Sequence, residues 1–120
     1  MKGGSWGHMR TSTAYNKKEF TGLSQYGGVA LISFDQLAHR TCGTGADERG
    51  LGRWAWMLFR GKNNIVTRII SAYQPNSGKY NQYFGSAYRQ QERHFLSNDI
   101  DDDPITMFRN DLCVAIKNMD

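Results

Sequence analysis

The segment IISAYQPN, residues 69–76, ends an apolar run on a tyrosine, a proline and an asparagine. Ligands of open α/β sheets bind beyond the carboxyl ends of strands, which is where Tyr73 and Asn76 would lie. A phenol hydroxyl and a carboxamide can each donate a hydrogen bond to a phosphate oxygen. A tyrosine that ends a buried strand is also a common packing residue, so the residues alone leave both roles open for Tyr73.

Two acidic runs and a glycine-rich loop are the other candidates for chemistry. Asp47–Glu48 and Asp101–Asp103 could supply the oxygen ligands that magnesium prefers. A solvated loop and a helix start explain these runs as well, because carboxylates are favoured at both. The glycines between 43 and 52 lack the pattern of a phosphate loop, and the three histidines stand apart from any serine or cysteine motif. We therefore predict no metal ligands among these residues.

Charge and cysteine content narrow the class of protein. Fifteen lysines and arginines against 11 acidic residues give a net charge of +4, which favours an anionic partner such as nucleic acid. The basic residues are spread along the chain, so a solvated surface explains them equally well. Cys42 and Cys113 form no CxxC pair, and we expect small, mostly buried thiols of a reduced, intracellular protein, with a single disulfide left open. Neither a membrane span nor a secretory signal is expected.

The apolar pattern predicts an α/β domain in which strands precede helices. Runs rich in Val, Ile, Phe and Trp predict strands, and two later runs with helical spacing predict helices. In chain order these are strands 28–34, 53–60 and 65–73 and helices 83–97 and 104–119. The turn GKNN predicts a hairpin between the last two strands. Asp103 and Pro104 are residue types preferred at the N-cap and the first position of a helix.

The segments around these elements carry weaker signals. Residues 1–25 are rich in Gly, Ser, Thr, Asn and Lys and show no apolar period, so we expect a loop or disordered segment there. One domain then covers residues 26–120. Residues 37–41 predict a short antiparallel return strand, and the glycine-rich residues 42–52 predict a loop.

The predicted sheet is apolar on both faces. Trp54 and Trp56 face one way along their strand, and Ala55 and Met57 face the other. A sheet with one face in water would alternate polar and apolar residues more cleanly. The two predicted helices can cover only one of the two faces. We therefore expect the second face to be covered by the remainder of a larger domain, or to drive self-association.

Four short motifs, taken in order, resemble the endonuclease/exonuclease/phosphatase superfamily, which has the deoxyribonuclease-I-like fold. Residues 27–32, GGVALI, are similar to its "GGvai" strand, and Gly52–Arg53 is similar to its "GR" strand start. Residues 69–76 are similar to its "v-x-x-Y-x-P-N" segment, and the helix that carries Arg89 and Phe95 to its "R-x-x-F" helix. The sequences of these motifs most resemble the nuclease segment of non-LTR retroelement proteins.

The resemblance implies a four-layer α/β sandwich and a metal-dependent phosphodiesterase, with Mg²⁺ as cofactor and nucleic acid as substrate, DNA being favoured over RNA. It makes Tyr73 the active-site tyrosine that contacts the phosphate. It puts Asn76 near the scissile phosphate. It puts Lys79 in a loop where basic residues approach the nucleic-acid backbone.

The motifs that bind the metal in this family do not appear in the sequence. These are a glutamate on an earlier strand, a "GDxN" motif and a C-terminal histidine. The resemblance therefore implies the central portion of the domain, which we expect to be inactive alone, and whether the chain is an enzyme stays open. A non-catalytic nucleic-acid-binding or assembly module is the alternative, since Trp54, Trp56 and Tyr73 beside basic residues could hold single strands.

Overall fold

The computed structural model describes residues 8–17, 28–75 and 87–119, which form parts of two compact units. The first unit comprises Met1–Lys17 and Gly28–Tyr73, and the second comprises Lys18–Gly27 and Gln74–Asp120. Within the described residues the chain has two antiparallel sheets, of two and three strands, and three α-helices. This confirms the predicted α/β class. The four-layer sandwich stays a prediction.

Seven of the helices and strands belong to the first unit and two to the second. The first unit contains, in chain order, β1 (Met9–Tyr15), β2 (Gly28–Phe34), α1 (Asp35–His39), β3 (Thr41–Ala46), β4 (Trp54–Arg60), a 3-10 turn (Lys62–Asn64) and β5 (Val66–Ala72). The second unit contains α2 (Ala87–Ser97) and α3 (Pro104–Lys117). None of these helices is long and apolar enough to span a membrane.

The predicted hairpin is confirmed as β4 and β5. The two strands pair antiparallel in a continuous register from Trp54 opposite Ala72 to Arg60 opposite Val66. The turn between them holds Asn63 at a φ of 57°, a left-handed conformation that asparagine adopts more readily than most residues. Strand propensity and turn chemistry agree here, which is why the sequence predicts both strands to within one residue at each end.

The loop predicted over residues 1–25 is wrong for Met9–Tyr15, which is strand β1 and pairs antiparallel with β2. The strand buries Ser12 and Ala14, so its inward face consists of small residues, one of them polar. The Ser12 hydroxyl donates a 2.9 Å hydrogen bond to the carbonyl of Gly45 and links β1 to β3. Pairing with distant residues stabilises this strand, and such contacts leave no local pattern.

The predictions for residues 37–41 and 42–52 are also wrong in part. Residues 35–39 form the short helix α1, and Thr41–Ala46 form β3, which pairs antiparallel with β4. Gly45 lies directly beneath the indole of Trp56, and a Cβ atom at this position would overlap the ring. The glycines that suggested a loop thus make room for a large side chain on the neighbouring strand.

The faces of the strands differ in how completely they are covered. Along β4, Ala55, Met57 and Phe59 are buried. On β2, Ile32 and Phe34 keep 53% and 41% of their surface exposed. Part of the described first unit therefore keeps apolar side chains exposed, and cover by the remainder of a larger domain or by self-association stays a prediction.

The second unit confirms the predicted start of the last helix. Asp103 is the N-cap of α3, and its carboxylate accepts 2.9 Å hydrogen bonds from the backbone N–H and the hydroxyl of Thr106. These bonds stabilise the charged form and lower the pKa of Asp103. Helix α3 ends at Lys117, two residues before its predicted end, and α2 matches the described part of the predicted helix 83–97.

The two cysteines differ from expectation. Cys42 and Cys113 are both exposed free thiols rather than buried residues. Cys42 lies on β3, whose exposed positions alternate with half-buried ones, and Cys113 lies on an exposed part of α3. The burial tendency of cysteine is an average over many proteins, and the position of each residue on its strand or helix overrides it here.

Candidate functional site

Tyr73 is the first residue after β5, and its side chain is 42% exposed. Its backbone N–H donates a 2.8 Å hydrogen bond to the carbonyl of Arg53, so the chain is fixed where the side chain leaves the sheet. The exposure excludes a fully buried packing role for Tyr73. The predicted site residues Asn76 and Lys79 lie outside the described residues.

A buried ion pair anchors the chain beside Tyr73. The guanidinium of Arg53 donates two hydrogen bonds to the carboxylate of Asp47, from Nε to Oδ2 at 2.6 Å and from Nη2 to Oδ1 at 2.9 Å. Both side chains are fully buried. The guanidinium also lies 4.6 Å from the ring centre of Trp54, a cation–π contact. A two-bond pairing of this kind fixes orientation as well as distance.

The Asp47 carboxylate stays charged inside the protein. Burial alone would raise its pKa, but the hydrogen bonds and positive charge of Arg53 outweigh burial and hold the pKa below its usual value. Backbone N–H groups of Arg49 and Arg53 also donate to it. These hydrogen bonds use the Asp47 carboxylate to fix the chain at the start of β4.

The residues between Asp47 and Arg53 are fixed to the end of β1. The N–H of Lys17 donates a 2.8 Å hydrogen bond to the carbonyl of Gly50, and Asn16 forms an isolated bridge with Leu51. Gly52 has a φ of 73°, and a Cβ atom there would lie 2.7 Å from the carbonyl carbon of Tyr15. Only glycine fits this conformation and this close approach.

Sequence reasoning singled out Gly52–Arg53 through the resemblance alone and missed its physical role. Side chains six residues apart are not neighbours within a helix or an extended strand. The spacing of Asp47 and Arg53 therefore does not indicate that they pair. The usable signal was an acidic residue and an arginine that both flank a strongly apolar strand, since a charge beside a buried strand needs a partner.

The structure also brings together His8 and His39, whose ring centres are 4.7 Å apart and which the sequence had left isolated.

Potential metal ligands do not cluster among the described residues. Nowhere in residues 8–17, 28–75 and 87–119 do three His, Cys, Asp or Glu side chains gather closely enough to hold a metal ion. Two of the acidic candidates have other roles: Asp47 binds Arg53, and Asp103 caps α3. We therefore assign no step to a metal ion held by these residues.

Comparison of the chain with family models, with curated proteins and with solved structures found no match. The resemblance to the endonuclease/exonuclease/phosphatase superfamily therefore stays a prediction that depends on the order of four short motifs.

Proposed function

We propose that the first unit binds phosphodiester groups of nucleic acid at the Tyr73 end of β5. It would do so as the phosphate-contacting part of a phosphodiesterase domain of the kind that the resemblance implies. The observation that supports this proposal is the exposed Tyr73 side chain at the carboxyl end of a sheet strand. A phenol hydroxyl is a good donor to a phosphate oxygen, and the exposure of Tyr73 leaves it accessible to a ligand.

The rigid surroundings of Tyr73 support the same proposal. Its backbone is hydrogen-bonded to Arg53, whose guanidinium is held in turn by Asp47. A backbone that is already fixed has less conformational entropy to lose on binding, so more of the interaction energy appears as affinity. The buried ion pair thus serves as a support for the tyrosine and makes no contact with the ligand itself.

The proposed activity of the described residues is binding rather than cleavage. Metal-assisted hydrolysis of a phosphodiester needs ligands that position the ion and a group that activates water. We assign neither role to a described residue, and the net charge of +4 favours binding of a polyanion. The proposed ligand is nucleic acid, with DNA favoured over RNA by the resemblance.

The proposal is tested by removing the hydroxyl of Tyr73. Fluorescence anisotropy with labelled single-stranded and duplex DNA gives Kd for the chain and for Tyr73→Phe. Loss of one hydrogen bond to a charged phosphate, about 1.5–3 kcal/mol, predicts a Kd about 13- to 160-fold higher. Tyr15→Phe is the matched control, because Tyr15 is 61% exposed on β1 of the same unit and should leave Kd unchanged.

Two results would contradict the proposal. Equal effects of the two tyrosine substitutions would show that the Tyr73 hydroxyl makes no contact with the ligand. The chain alone is expected to show no magnesium-dependent nicking of plasmid DNA. Nicking that disappears in Tyr73→Phe would mean that the chain cuts as well as binds.

A further inference from the structure

A cleft of about 440 Å³ lies at the end of β4 away from Tyr73. Its walls come from the end of α1, the start of β3 and the end of β4 with the turn that follows. The residues that line it include His39, Arg40, Thr41, Cys42, Arg60 and Lys62. Four of these six side chains carry basic groups, and none carries a carboxylate.

Backbone and hydroxyl contacts fix the walls of this basic cleft. The N–H of Arg60 donates a 2.8 Å hydrogen bond to the carbonyl of Arg40, which joins the two sides. The Thr41 hydroxyl donates to the carbonyl of Leu37 at 3.1 Å and shares a second 3.1 Å bond with the hydroxyl of Ser33. The cations are therefore brought together by the sheet and its turns.

The three permanent cations of the cleft are not neutralised within the described part of the chain. Arg40, Arg60 and Lys62 have no carboxylate of residues 8–17, 28–75 or 87–119 within ion-pair distance. Cations grouped without counter-charges repel one another and create a positive potential, which a bound anion would relieve. Two of the three are arginines, whose planar guanidinium groups match the geometry of phosphate oxygens.

We propose that the basic cleft binds a backbone phosphate of nucleic acid, as a second contact point separate from Tyr73. This inference rests on the proposed function for the identity of the polymer. The seven residues of β4 separate the two ends by about 20 Å, since a strand rises about 3.3 Å per residue. One phosphate cannot reach both ends, so the cleft and Tyr73 would contact different phosphates along one strand.

The two cysteines of the chain provide a test that leaves the cations unchanged. Cys113→Ser retains Cys42, which lines the cleft, as the single thiol. Cys42→Ser retains Cys113 on α3 as the matched control, and both thiols are exposed. The rate of maleimide labelling is measured with and without a 20-nucleotide DNA. At ten times Kd, labelling of Cys42 should slow about 11-fold, following 1 + [L]/Kd, while Cys113 keeps its rate.

A second measurement removes the charges. Arg60→Gln with Lys62→Gln should weaken binding of single-stranded DNA and reduce the slope of log K against log salt by about 0.7 for each lost phosphate contact. The control Arg109→Gln with Lys117→Gln removes the same charge from exposed positions of α3 and should leave the slope nearly unchanged. An unchanged slope in the first double variant would overturn the proposal.

The outcomes separate this inference from the proposed function. If Tyr73→Phe weakens binding while Cys42 is not protected, the cleft proposal is wrong and the proposed function stands. If Cys42 is protected while Tyr73→Phe has no effect, the cleft binds nucleic acid and the Tyr73 proposal is wrong. Protection of Cys42 by inorganic phosphate but not by the oligonucleotide would overturn the cleft proposal, because a small anion would then be the ligand. No DNA binding at all would overturn both.

Discussion

The two ends of β4 use arginine in opposite ways. Immediately before the strand, Arg53 is fully buried and makes two hydrogen bonds to the carboxylate of Asp47. At its last position Arg60 is exposed beside a cleft that it shares with Arg40 and Lys62. The residue type is the same, and the difference is whether the fold supplies a carboxylate. A charge that is paired inside the protein stabilises the fold, whereas cations that cluster at the surface without a carboxylate can bind an external anion.

We call the Arg53 end of β4, where the charge is paired, the closed end, and the Arg60 end, beside the basic cleft, the open end. Removal of the Asp47 carboxylate at the closed end should give the largest loss of stability. Asp47→Asn leaves the buried guanidinium of Arg53 without its negative partner. Breaking a buried pair from one side costs about 3–5 kcal/mol in the free energy of unfolding. Urea denaturation followed by tryptophan fluorescence and circular dichroism measures this loss.

The neighbouring Glu48 provides the matched control for that substitution. Glu48→Gln removes the same charge from an exposed side chain in the same loop and should change stability by less than about 0.5 kcal/mol. Equal losses for the two variants would show that the net charge of the loop, rather than the Asp47–Arg53 pair, stabilises the start of β4.

The same pair predicts how stability depends on pH. Arg53 holds the pKa of Asp47 in the folded protein below its usual value of 3.8, so this carboxylate stabilises the fold fully above about pH 4. The contribution is lost as the pH falls through the folded-state pKa. Unfolding free energies between pH 2 and 6 should therefore decline more steeply for the unaltered chain than for Asp47→Asn. Parallel curves would contradict this assignment, because Asp103, which also has a lowered pKa, is present in both proteins.

The backbone of the closed end is tested by Gly52→Ala. This residue has a positive φ, and a Cβ atom there would approach the backbone of Tyr15 to 2.7 Å. The strained conformation alone costs about 1–3 kcal/mol. Gly43→Ala is the control, since its Cβ would make an ordinary 3.5 Å contact with Leu58, and should be neutral or stabilising by up to about 1 kcal/mol. Thermal unfolding of both variants measures the contrast, and a loss of the same size at Gly43 would contradict it.

The parts of the fold that the sequence predicts are those with local causes. The β4–β5 hairpin follows from apolar strands and an asparagine turn, and the start of α3 follows from Asp103 before Pro104. Strands β1 and β3 were missed because small and polar residues stabilise them through distant partners. Ser12 bonds to Gly45, and Gly45 is needed only because Trp56 lies above it. Such causes exist in three dimensions and leave no period in the sequence.

The candidate sites likewise differ in whether local sequence signals or distant contacts determine them. The position of Tyr73 at the end of a strand could be predicted, because the strand and its end have local signals. The Asp47–Arg53 pair and the basic cleft could not, because each joins residues that only the sheet pairing brings together. In the cleft, the end of α1 and the turn after β4 meet through the bond between Arg40 and Arg60. An even spread of basic residues along the sequence therefore does not exclude a cluster of them in the structure.

Loss of charge at the open end should have the smallest effect on stability. Arg60→Gln with Lys62→Gln removes two exposed cations that are unpaired within the described residues, and should change the unfolding free energy by less than about 0.5 kcal/mol. Reduced repulsion with Arg40 makes a small gain as reasonable as a small loss. Urea denaturation beside Asp47→Asn gives the comparison directly. A loss of more than about 1 kcal/mol would mean that these side chains hold the turn after β4 and are not free to bind an anion. Near-neutral stability together with weakened DNA binding would instead assign the two ends of one strand to separate tasks, structure at Arg53 and ligand binding at Arg60.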